Sequence, residues 1–116
     1  MKVAQAVAQM KEAGLIDERE LYGYGQKKSA MGGAIGAIQN GILMTVNADT
    51  IQVFDAKLDN SWSNNILTAK RDQLSNIKVK NIFFGLQKQV EFTYMGFHYA
   101  YLFPMAYKKI ALWFKE

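Results

Sequence analysis

The sequence predicts a mainly β (α+β) fold: a bent, seven-stranded antiparallel sheet or partly open barrel, capped by a C-terminal helix and preceded by a short N-terminal helix. Three observations predict it. Helical periodicity is confined to the two ends of the chain; the stretches between them are rich in β-branched and aromatic residues; and short turn-forming sequences separate those stretches at strand-length intervals.

Each element follows in order. Val3, Val7 and Met10 recur at i, i+4, i+7 with Ala6 beside them, opposite Lys2, Gln5, Gln9 and Glu12, which marks a leading helix within residues 1–14 that Gly14 is placed to end. Its apolar stripe is narrow, so packing on its own domain and packing on a neighbour are both open. Antiparallel strands are expected over residues 18–103. Glu20 to Lys28 reads as the first, with Gly23 and Gly25 allowing a bulge or bend. Gly41 to Asn47 and Thr50 to Lys57 flank Ala48-Asp49, the length of a tight hairpin turn. Beyond the polar loop LDNSWSNN, the segments ILTAKR and LSNIKVKN give two more strands, the second alternating Ile77 and Val79 with Lys78 and Lys80. A hairpin spans Leu86 to Phe103. With Met95-Gly96 as its turn, Tyr94 faces Phe97, Phe92 faces Tyr99 and Val90 faces Tyr101 on one side, leaving Gln89, Glu91, Thr93, His98 and Ala100 on the other. Pro104 then fixes a φ suited to a helix start, and residues 104–116 form the closing helix, with Ala106, Ile110 and Trp113 inward and Lys108, Lys109 and Lys115 elsewhere.

Composition bounds what this fold can do. The chain has 116 residues, one Pro and no low-complexity linker, which suggests a single domain over residues 1–116, and half its residues are hydrophobic, enough to build a core. It has no cysteine, which excludes disulfides, thiolate metal sites and a cysteine nucleophile. No signal-peptide-like apolar region and no membrane-spanning apolar run is present, so a cytoplasmic location is expected. The net charge is +4. Lys70, Arg71, Lys78, Lys80 and Lys88 fall in one stretch and form a candidate anion-binding patch; the plainer reading is a solvated strand surface whose lysines guard a sheet edge.

From Glu18 to Lys115 the order of elements resembles the pleckstrin-homology-like fold, and within it the bacterial PH-like domains. The resemblance rests on the strand beginning ELYGYG, the hairpin ILMTVNADTIQVFD, the segment LSNIKVKN, the hairpin VEFTYMGFHYAYLF and the closing helix. Similar bacterial domains commonly lead from the second strand into a Thr-Asn-x-Arg turn; Thr45 to Thr50 keeps a loose version of it without the Arg. The resemblance implies a non-catalytic assembly and binding module.

It also places SAMGGAIGAIQNG, residues 29–41, between the first and second strands. A dinucleotide fingerprint would put Gly where Met31 stands and would need a parallel βαβ unit, and there is no G-K-[ST] for a P-loop. Phosphoinositide recognition is not supported either, because Lys27 and Lys28 stand at the entrance and nothing basic follows within. Apolar side chains this dense cost free energy in water, about 25 cal/mol per Å². They can be buried against their own barrel, against a second subunit or in a membrane surface. Met31, Gly32, Gly33, Ile35, Gly36 and Ile38 are accordingly the candidate association surface, and a homo-oligomer is the expected state.

No catalytic constellation emerges. His98 lies across from Thr93 and near Glu91, a routine cross-strand polar contact without a nucleophile or substrate pocket to act upon, and two such residues are too few to hold a metal. Asp55 and Asp59 lack the spacing of a calcium loop. The aromatic rows of the last hairpin fall on the face that the closing helix needs, which argues for core rather than base stacking. The expectation is a non-enzymatic module that self-associates or docks on a protein or membrane surface, with no cofactor, no metal and no small-molecule substrate. The competing expectation is a domain that binds an anionic ligand, a lipid head group or, less favoured, a nucleic acid, on the basic strand surface.

Overall fold

A computed structural model describes residues 1–28 and 41–116. In chain order these form helix α1 (Val3–Glu12), strands β1 (Leu21–Lys27), β2 (Gly41–Asn47), β3 (Thr50–Ala56), β4 (Trp62–Lys70), β5 (Ser75–Ile82), β6 (Gln87–Tyr94) and β7 (Phe97–Pro104), and helix α2 (Lys108–Trp113). All sheet neighbours are antiparallel, in the order β4-β3-β2-β1-β7-β6-β5. Among the described residues β4 and β5 are free edges, so the sheet is open and does not close into a barrel.

Turn chemistry sets the registers. Met95 and Gly96 both take positive φ, 50° and 81°, the backbone of a primed two-residue turn whose twist matches that of the strands. The pairs Tyr94↔Phe97, Phe92↔Tyr99 and Val90↔Tyr101 follow, as alternation predicts. Ala48, at φ 52°, opens the corresponding turn between β2 and β3. This turn is clamped from outside: Asp17 accepts from the Ala48 amide at 2.9 Å, and Arg19 donates to the Ala48 carbonyl at 2.7 Å while pairing with Asp17 at 2.7 Å.

β1 is the seam of the sheet. It pairs with β2 in unbroken register from Leu21↔Val46 to Gln26↔Gly41, but with β7 only at Gln26↔Leu102 and Lys27↔Tyr101. Of the bulge or bend that Gly23 and Gly25 allow, the β1–β2 register shows no bulge. Close approach explains the glycines instead: a Cβ on Gly25 would lie 2.2 Å from the Leu102 carbonyl oxygen, and one on Gly23 2.9 Å from Ile110.

Both faces of the sheet are covered. Ile42, Met44 and Val46 of β2 join Phe92, Tyr101 and Phe103 beneath Ile110, Trp113 and Phe114, while Leu43 and Phe54 on the opposite face meet Ala6, Met10, Leu15 and Ile16. This double cover is why GILMTV reads as a continuous apolar run rather than an alternating one. Each large side chain so buried contributes about 1.5–3 kcal/mol. The leading helix thus packs on its own sheet, with Ala6 and Met10 inward and Gly14 in the left-handed conformation just beyond its end.

Two boundaries differ from the sequence expectation. β4 begins at Trp62, within the segment read as a loop, because Ser63, Asn64 and Asn65 sit exposed on an edge strand that carries register shifts near Phe54. Pro104 ends β7 instead of starting a helix, and a 3-10 turn, Met105–Tyr107, intervenes before α2. The tighter turn shifts the phase, so Ala106 is exposed and the buried face carries Ile110, Ala111, Trp113 and Phe114, with Tyr107 partly buried against it.

Candidate functional site

The candidate association residues Met31, Gly32, Gly33, Ile35, Gly36 and Ile38 lie outside the described residues. Among those described, apolar side chains left in water concentrate at a different place, the connection from β5 to β6. Phe83, Phe84 and Gly85 follow one another with φ 50°, 57° and 85°. The Leu86 amide donates to the Phe83 carbonyl at 3.1 Å, closing a single turn. Glycine adopts this backbone freely, whereas a bulky residue pays about 1–3 kcal/mol. The β5–β6 ladder, which is continuous from Lys78↔Glu91 to Ile82↔Gln87, holds the strained turn in place. As a result the side chains point away from both cores: Phe83 is 63% exposed, Phe84 107% and Leu86 69%.

Beside this turn runs a groove of about 780 Å³ across the β1–β7 seam, with Gln87 and Pro104 on one side, Leu58 and Asn60 on the other, and Tyr24, Gly25 and Leu102 among its lining. Tyr24 donates to the Asn60 carbonyl at 2.7 Å. Burial, and after it the neighbouring Tyr107 and Tyr22 rings, pushes the Tyr24 phenol up to about 12, so it is a neutral, hydrogen-bonded wall at physiological pH. Leu58, at the lip, is fully exposed like Phe84.

The five basic residues do not form one surface. Lys70 ends β4 on one edge of the sheet, whereas Lys78 and Lys80 are on β5 at the other. Lys78 pairs with Glu91 and Lys80 with Gln89 across the ladder, which puts Lys88 on the opposite face of β6 by alternation. Their partners differ too. Arg71 donates to the carbonyls of Trp113 at 2.7 Å, Phe114 at 3.0 Å and Glu116, with its guanidinium 4.8 Å from the centre of the Trp113 ring. It serves the end of α2. Lys80 sits 3.0 Å from the Glu91 carboxylate, and Lys88 donates to the neutral Asn81 side chain at 2.5 Å.

Glu91 also contacts His98 at 3.3 Å, and the hydrogen bond from Lys80 holds its carboxyl below the usual range in spite of partial burial. His98 is exposed and opposite Thr93, as the register predicts. Chemically this is a cross-strand charge network in which the exposed Lys80 and His98 flank a largely covered carboxylate. Among the described residues no group of three or more His, Asp or Glu side chains is close enough to hold a metal ion.

The exposed turn escaped the sequence reading because aromatic residues between two strands default to the interior. The available signal was Phe-Phe-Gly at a strand junction: the glycine marks left-handed backbone, and a turn that short leaves the preceding rings no path back to the core. Compared with protein-family models, curated proteins and solved structures, the chain matches none.

Proposed function

We propose that this chain is a non-catalytic interaction module of pleckstrin-homology-like fold, a sheet scaffold that docks on a partner, another copy of itself included, through apolar side chains its own cores do not use. The observation that carries this reading is the turn at Phe83, Phe84 and Leu86. An outward-pointing apolar turn on strained backbone costs the isolated chain free energy twice, once for the backbone and once for the hydrated surface, and contact with a partner recovers the second cost.

The test is whether the turn serves the fold. In Phe84→Ser/Leu86→Ser the unfolding free energy in urea should stay within about 0.5 kcal/mol of the wild type, as for surface positions without structural partners. A loss above about 1.5 kcal/mol would mean that the turn packs into the fold, and the docking reading would fail.

A further inference from the structure

The geometry points to an anionic lipid surface as the partner of the Phe83–Leu86 turn, with the rings entering the interfacial layer and the flanking lysines meeting the head groups. This inference rests on the docking reading above and names its occupant.

Shape supports it first. The turn is a convex tip whose outermost ring, Phe84, is exposed on every side, and a bilayer accepts such a tip without a complementary pocket. Charge supports it next. Between Asp72 and Glu91 the sequence contains Lys78, Lys80 and Lys88 and no acidic residue. Lys80 and Lys88 lie two residues from either end of the segment Ile82 to Leu86 and on opposite faces of the ribbon, so a lysine stands behind the tip on each face. Lys88 keeps its charge uncompensated, since its partner Asn81 is neutral, and Lys78 makes no ion pair among the described residues. An apolar tip with cationic shoulders is complementary to an anionic leaflet, in which each nearby lysine strengthens binding and salt weakens it. No described helix is long and apolar enough to cross a membrane, and the contact proposed is an interfacial one made by the turn alone.

The experiment is sedimentation of the wild-type chain with vesicles of phosphatidylcholine alone and of equal parts phosphatidylcholine and phosphatidylglycerol. The expected result is binding to the mixed vesicles at least about tenfold stronger than to the neutral ones, reduced about tenfold or more in Phe84→Ser/Leu86→Ser and about fivefold or more in Lys78→Gln/Lys88→Gln. A Phe84→Trp variant gives an independent readout, with indole emission moving to the blue on mixed vesicles. No binding to mixed vesicles, equal binding by the serine variant, or an unshifted emission overturns the lipid partner. If the serine variant keeps its stability while vesicles fail to bind, only the lipid inference falls; if it is destabilised, the docking reading falls as well.

Discussion

At the scale of single residues, polar atoms inside the cores distinguish what the fold needs from what it tolerates. The Tyr101 ring is fully buried beside Phe92 and Tyr99, yet its hydroxyl has no hydrogen-bond partner among the described residues. Desolvation holds that phenol well above its usual range. Because a buried donor left unmade costs about 1–3 kcal/mol, Tyr101→Phe should leave stability unchanged or raise it by about 1 kcal/mol in urea unfolding. A clear loss would mean that the hydroxyl is satisfied in solution. Alternation across Val90 and Phe92 made the inward side of Tyr101 legible in the sequence. The missing partner was not, since that depends on which elements close over the ring.

At the scale of elements, the closing helix shows how a segment too short to stand alone is held. α2 has six residues, far fewer than an isolated helix needs in water. Its end is tied down by Arg71, from the turn after β4, through carbonyl bonds and a ring contact that only a planar guanidinium makes together. Arg71→Ala should therefore cost about 2 kcal/mol and weaken the near-ultraviolet dichroism of Trp113, and Arg71→Lys should recover less than half. The sequence presented Arg71 as one member of a basic run, because a linear reading sees charge before it sees the carbonyls that charge serves. Element types were far more legible than boundaries. The last hairpin and GILMTVNADTIQVFDA were fixed by turn residues and apolar pattern, whereas the start of β4 was hidden because an exposed edge needs no apolar signature.

At the scale of the whole molecule, charge distribution sets the pH range of stability. The hydrogen bond from Arg19 and that from the Ala48 amide hold the Asp17 carboxyl far below the ordinary carboxylate range, and Lys80 does the same more mildly to Glu91. A depressed folded-state value contributes stability that is present above the unfolded pKa of about 4 and is lost as pH falls toward the folded value. Burial raises Tyr24 to about 12 and raises Tyr22, Tyr101 and Tyr107 as well, so their contribution is present below about pH 10 and is lost as pH rises through the folded values. Urea midpoints should form a plateau between about pH 4 and 10, and Asp17→Asn should lower the plateau by about 1 kcal/mol and flatten its acid limb. A limb unchanged by that substitution would remove the clamp from the account. One further property follows from the β1–β7 seam. β1 to β4 and β5 to β7 are two meanders apart from the β1–β2 connection, each able to zip from its own turns, whereas Gln26↔Leu102 and Lys27↔Tyr101 join opposite ends of the chain. The entropy of closing the longest loop falls on the shortest ladder, so in folding time the two ribbons precede the sheet, and their union waits on the residues with the farthest to travel.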